Sequence, residues 1–236
     1  LQRAASFVAA DAAEDNFGFY MRPKTAFAYR QNIGNFGLHF GGEMGEIPVW
    51  TGRSQSRIRS GYRDQGYHLM QLGFDRGFGP GKLALTGTYL NEKATILGAT
   101  GNIWTGNGGA QSWFADAKAQ LALGNHWELG GAYRRGRTRI GAAGLRPSTD
   151  WLQTDAWSAD LTKTGLFSMH DQMSLRLSQP LRVAKGGVNL SLPTSYDYAT
   201  LSASFENQFV SLAPLGREQN IEFSYASPLW GGRFGT

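Results

Sequence analysis

From about residue 15 onward the chain alternates apolar and polar residues with a period of two. Trp113, Ala115, Ala117, Ala119 and Leu121 alternate with Ser112, Phe114, Asp116, Lys118 and Gln120, and Trp127, Leu129, Gly131 and Tyr133 alternate with Glu128, Gly130, Ala132 and Arg134. Met173-Leu175-Leu177, Leu201-Ala203-Phe205 and Ile221-Phe223-Tyr225 repeat the pattern; Phe36-Leu38-Phe40, Met70-Leu72-Phe74, Leu83-Leu85-Gly87-Tyr89 and Trp157-Ala159-Leu161 are weaker versions. Successive side chains of a strand point to opposite faces, so each segment is predicted to be a strand with one apolar and one polar face. Residues 1–15 differ: they are Ala-rich, lack Gly and Pro, and space Leu1, Ala5, Val8 and Ala12 as a short helix would.

The residues on the apolar faces separate two kinds of all-β fold. A soluble sandwich interdigitates its bulk in a central core. Here small residues (Ala115, Ala117, Ala119, Gly131, Ala203) hold mid-strand, while Trp113, Trp127, Tyr133, Trp157 and Tyr225 lie near strand ends. An apolar belt flanked by aromatic girdles is what a membrane barrel requires. Tight turns are expected at Gly34-Asn35, Gly79-Pro80-Gly81, Gly124-Asn125, Met169-His170 and Leu215-Gly216, alternating with longer connections near 41–66, 92–111, 138–156 and 184–197. Such alternation fits an up-and-down barrel with brief periplasmic turns and longer outer loops. Residues 17–32 form either one long strand or a hairpin turning at Pro23-Lys24, and the hairpin is favoured because proline disrupts a ladder in mid-strand. The expected fold is therefore an all-β, up-and-down antiparallel transmembrane β-barrel with ten or eleven readable strands and a short N-terminal helix. Its domains are a helical segment over 1–15, read as a frayed terminal helix, and a barrel over 16–236.

Composition agrees with a β-protein that has one face in an apolar medium. Glycine is abundant (32 residues), aromatics reach 13%, charged residues only 17%, and cysteine is absent. Zero cysteine excludes disulfide scaffolds and thiolate metal sites. No run of apolar residues is long enough for a membrane-spanning helix.

The stretch from Ser112 to Thr236 resembles the C-terminal translocator barrel of autotransporters. LGNHWELGGAYRRGRT (123–138) is similar to that family's strand–turn–strand pattern; LRLSQPLRVAKGGVNLSLPTSYDYAT (175–200) and GREQNIEFSYASPLWGG (216–232) are similar to barrels that follow subtilisin-like serine protease passengers. The resemblance covers about half the chain and fades across 67–111. It implies type V secretion: a barrel of about twelve strands in the outer membrane of a Gram-negative bacterium, inserted by the barrel-assembly machinery, that anchors its own N-terminal passenger and carries it to the cell surface. Such barrels end in an aromatic residue, so against the family the barrel over 16–236 either lacks a strand or more at its C-terminus or departs from the pattern there. A helix ahead of the barrel then occupies the pore. The chain is not expected to be an enzyme, since a protease passenger would lie outside it. A stand-alone outer-membrane pore and a soluble adhesin-like β-module remain alternatives.

Candidate chemistry is sparse. His39, His68, His126 and His170 fall on separate hairpins with no metal-ligand spacing. Ser168, His170 and Asp171 share one turn, whereas a triad converges from different elements. Gly77 to Gly81 is flanked by strands, so it reads as a turn and not a phosphate loop. No catalytic residue, cofactor or metal is assigned. The polar faces carry charges of both signs, Asp116, Lys118, Arg134, Asp160, Arg176, Glu206 and Glu222, which are read as lining a polar lumen. Arginines cluster at Arg53, Arg57, Arg59 and Arg63 and again at Arg135, Arg137 and Arg139. Guanidinium groups suit phosphate bidentately, so these are either solvated loop charges or contacts to lipopolysaccharide, in preference to nucleic acid.

Overall fold

The structure, a computed structural model, describes residues 21–50, 62–99, 109–141, 146–147, 151–168 and 170–227. The expected helix over 1–15 lies outside these residues. The described residues contain twelve strands, all paired antiparallel, and no helix: β1 (Arg22–Ile33), β2 (Phe36–Trp50), β3 (Tyr62–Phe78), β4 (Gly81–Glu92), β5 (Ala110–Gly124), β6 (Trp127–Ile140), β7 (Arg146–Pro147), β8 (Leu152–Thr164), β9 (Gln172–Lys185), β10 (Gly187–Asp197), β11 (Ser202–Ser211) and β12 (Asn220–Ala226). Nine form one sheet in the order β1-β2-β3-β4-β5-β6-β8-β9-β12, and the other three form a second in the order β11-β10-β7.

Tight turns join β1 to β2 at Gly34-Asn35, β3 to β4 at Gly79-Pro80 and β5 to β6 at Asn125-His126. Asn125 and His126 both take positive φ (48° and 62°), as a two-residue hairpin matching the strand twist demands. These turns share one end of the sheet, and the long connections share the other. The sheet curls. Leu181 of β9 packs against a cluster of Ile47, Tyr67, Leu69, Leu90 and Phe114 from β2 to β5. A flat sheet would hold β9 about 14 Å from β5, the nearest of those strands.

Three expectations are corrected. First, the sheet is not closed into a barrel: among the described residues no ladder joins β1 to β12. Eight successive antiparallel steps leave these edge strands running the same way, so they cannot pair antiparallel with each other. Second, there is no hairpin turn at Pro23-Lys24. β1 is one strand with an irregularity between Pro23 and Thr25, and a proline is tolerated at the start of an edge strand. Third, Leu215-Gly216 does not reverse the chain between neighbouring strands. The reversal lies at residues 198–201, and 187–197, expected to be connection, is strand β10 paired to β11. Gly186 (φ 115°) bends the chain out of the main sheet between β9 and β10. A Cβ there would lie 2.8 Å from Leu152 Cδ2 and 3.1 Å from the Trp151 carbonyl oxygen, so only glycine makes this bend.

The β8–β9 turn is built around Asp171. Its carboxylate accepts hydrogen bonds from the amides of Leu166 (2.6 Å), Phe167 (2.7 Å) and Ser168 (3.1 Å) and from the Tyr225 hydroxyl on β12 (3.0 Å). Burial by itself would raise this carboxyl's pKa, but the four donors outweigh it and hold the group below the usual carboxylate range. A carboxyl held lower in the fold than in the unfolded chain, about 3.9 there, stabilises above that pH. That contribution is lost as pH falls through the folded value. Asp171→Asn is expected to lower the urea midpoint at pH 7 and to flatten the loss of stability below about pH 4. Tryptophan fluorescence across a pH series reads both effects; an unchanged acid dependence would remove Asp171 from this role.

Candidate functional site

The two faces of the curled sheet have opposite chemistry. On β5, Ala110, Ser112, Phe114 and Asp116 are buried, whereas Gln111, Trp113 and Ala115 are exposed. The inward series continues with Thr138 on β6, Thr154 and Ser158 on β8, and Ser174, Arg176 and Ser178 on β9, all buried and all polar. Cross-strand register supplies their partners. Asp116 sits opposite Arg134 and ion-pairs with it, and Asp160 sits opposite Arg176 in a two-point contact whose second bond is 3.0 Å. Ser112 and Thr138 hydroxyls lie 2.9 Å apart, and those of Thr162 and Ser174 3.1 Å apart. Glu222 of β12 is in register with Arg176, extending the charged row Asp160–Arg176–Glu222. Lys118 joins Asp116, Arg134, Ser158 and Gln179 around one shallow inward hollow. Glu206 stands apart from this group. It is exposed on β11, because the β10–β11 hairpin leaves the main sheet at Gly186.

Toward the long-connection end the interior becomes apolar. The Leu90 cluster lies there, beside a second one of Ile140, Leu152 and Val188. Leu97 packs on the first and Ile96 on the second, so part of the β4–β5 connection is folded inward between them. Glu92, buried, pins this segment by accepting from Thr95 Oγ1 (2.7 Å) and from the amides of Leu97 and Gly98 (2.8 Å each). At the tight-turn end Arg30 contacts Asp75 at 2.8 Å, with Lys82 3.8 Å and His39 3.9 Å from the same carboxylate. Of these only His39 was weighed from sequence, as a metal ligand, and Glu92, Arg30, Asp75 and Lys82 were not singled out. The available signal was phase, since Glu92 continues the inward series Thr88, Leu90.

The outward face is layered along the strands. Trp127 of β6 pairs with Lys163 of β8, whose ammonium lies 5.4 Å from the indole centroid. Next come the rows Leu121–Leu129–Leu161–Leu175 and Ala119–Gly131–Ala159–Leu177, then Ala117–Tyr133–Trp157. Beyond them lie Ala115–Arg135–Asp155–Arg182 and Trp113–Arg137–Gln153–Lys185, with Arg139 opposite Gln111. Trp113 is flanked by Tyr89 (5.2 Å) and Trp151 (5.3 Å). On β5 no outward residue from Trp113 to Leu123 is charged, over the length, about 9–11 residues, with which a tilted strand crosses hydrocarbon. Arg135, Arg137 and Arg139 therefore lie on the outward face, past the aromatic row. Arg53, Arg57 and Arg59 lie outside the described residues, and Arg63 is described only through its backbone pairing with Val49.

The serine, histidine and aspartate of the β8–β9 turn do not form a relay, because the Asp171 carboxylate is engaged by the turn's own amides and by Tyr225. Comparison with family models, with curated proteins and with solved structures gives no match.

Arg176 is 4% exposed, and breaking a buried pair leaves the other charge without compensation. Arg176→Met is expected to cost about 3 kcal/mol, and adding Asp160→Asn to recover part of the loss. Urea titration of both single variants and of the double measures the coupling; a double loss equal to the sum of the two single losses would mean that the pair contributes nothing as a pair.

Proposed function

We propose that this chain is the membrane-embedded β-wall of an autotransporter translocator in the outer membrane, anchoring an N-terminal passenger and conducting it to the cell surface. One observation carries the membrane part: large apolar side chains face outward in continuous rows, bounded at both ends by aromatic and cationic residues, while charges and hydroxyls face inward. In water such a face would be a contiguous apolar patch far beyond what a monomer tolerates. In a bilayer it is the expected belt with its two girdles. The translocator part rests on the resemblance over 112–236 and on the polar inner face, which offers hydroxyls and paired charges to a passing extended chain. The inward-folded segment at Ile96-Leu97 favours a conduit that is shut at rest over an open stand-alone pore. Closure into a full barrel belongs to this proposal and requires strands beyond the nine in the sheet.

Leu175 supplies the test. It is 45% exposed on the outward face, within the leucine row. At a solvent-exposed surface, Leu175→Arg would change stability by no more than about 0.5 kcal/mol. Facing hydrocarbon near the midplane it should cost roughly 2–4 kcal/mol. The full chain and the variant are refolded into phosphatidylcholine vesicles and titrated with urea. A loss near zero, or refolding that ignores the vesicles, would sink the membrane reading and restore the soluble β-module.

A further inference from the structure

We propose that the outward basic strip of Arg135, Arg137, Arg139 and Lys185, backed by Arg182, binds the phosphate groups of an outer-leaflet glycolipid of lipopolysaccharide type. The inference rests on the membrane reading above and adds a ligand site to it. Arg135, Arg137 and Arg139 are alternate residues of β6, all exposed and all on the apolar-bearing face. Alternation sets neighbouring guanidinium stems about 6.6 Å apart, making a strip about 13 Å long, enough for two phosphates. Cross-strand register widens it: Arg137 and Lys185 both pair with Gln153, and Arg135 and Arg182 both pair with Asp155.

Asp155 is the one carboxylate in these rows, and it also accepts from Gln179 at 3.3 Å. Arg135 donates weakly to Gln153 at 3.5 Å, and Arg182 donates to the Gly216 carbonyl at 3.3 Å. The strip therefore carries a clear excess of positive charge. Its position selects the ligand. Tyr133 and Trp157 lie directly below it, toward the leucine rows, and the aromatic trio Tyr89, Trp113 and Trp151, packed tilted and edge-to-face, lies beside it. A ligand matching both must join phosphates to an apolar body. That describes a phosphorylated lipid held at the boundary of the apolar belt, where Arg forks grip phosphate and aromatic rings sit against acyl chains and sugar. A nucleic acid would meet the belt itself a few ångströms below its phosphates.

The full chain, refolded in zwitterionic detergent, is titrated with bisphosphorylated lipid A and with the same lipid after removal of both phosphates. Tryptophan fluorescence and native mass spectrometry read binding, and heat-dependent gel mobility checks that each variant is folded. The phosphorylated lipid should bind more tightly, and less so as salt rises. Arg137→Gln and Arg139→Gln should each weaken binding roughly fivefold, the effect of one cation beside an anionic surface. Arg76→Gln, an outward cation at the opposite end of the belt, should leave binding unchanged. Equal affinity for the two lipids, equal losses from Arg76→Gln and Arg137→Gln, or full competition by millimolar inorganic phosphate would each overturn the lipid site. A chain that enters detergent and vesicles normally yet shows no phosphate preference refutes the strip alone. A chain that enters neither refutes the membrane reading beneath it.

Discussion

Pairing each strand's backbone to its neighbours, with side chains forced alternately to opposite faces, is the constraint from which the rest of this structure follows. Once β5, β6, β8 and β9 are in register, inward residues meet inward residues and outward ones outward ones along the regular stretches, up to the shifts between β8 and β9 at Asp155/Trp157 and Gln153/Thr154. The inward rows then bring Asp116 to Arg134 and Asp160 to Arg176, and a buried charge is tolerated only with such a partner. The outward rows bring leucine to leucine. A slip of one residue would bury Leu175 and turn Arg176 outward, so both faces enforce the same register. Polar interior and apolar exterior are thus two consequences of one ladder, and the medium around the protein must satisfy the second.

The two ends of the sheet use that ladder differently. At the tight-turn end, positive-φ residues and the Asp171 cage reverse the chain in a few residues, and the Tyr225 hydroxyl ties β12 to the same carboxylate. At the other end the strands run on into long connections, and the interior changes from charged to apolar where Ile96 and Leu97 fold in. A buried Glu92 with three donors holds that segment by local hydrogen bonds, while hydrophobic contacts with both clusters fix its depth. The inner face therefore has a charged waist and an apolar mouth, and any conduit function depends on whether this mouth can open.

The legible part of the fold was the part governed by periodicity. Over 113–123, 127–133, 157–161 and 173–177 one residue in two is apolar or glycine, and phase alone assigned Asp116, Arg134, Asp160 and Arg176 to one face and Leu175 to the other. Arg135, Arg137 and Arg139 were visible as a cluster, but their side of the strand could be read only by extending the phase of Trp127 and Tyr133 past the aromatic row. Periodicity failed where the controlling term was not local. In residues 187–197 the alternation Val188-Leu190-Leu192 is cut short by Pro193, so they read as connection, and they are strand because β11 pairs with them along their length. Pro23 reads as a turn in isolation, yet the edge position of β1 leaves its missing N–H without consequence. Gly186 carries no signal at all, because its role depends on the proximity of Trp151 and Leu152.

The open edges follow a stricter logic than propensity. An antiparallel sheet closes on itself only with an even number of strands, and the main sheet has nine. The β10–β11 hairpin cannot supply the missing parity, since inserting a hairpin adds two strands and leaves the count odd. Its register is in any case committed to β7, through Val188 and Asn189 opposite Pro147 and Arg146. In a bilayer each unpaired N–H and C=O along β1 and β12 would cost several kcal/mol, which no open edge facing hydrocarbon can sustain. Antiparallel closure therefore needs an odd number of further strands between β12 and β1, the first of them running opposite to β12.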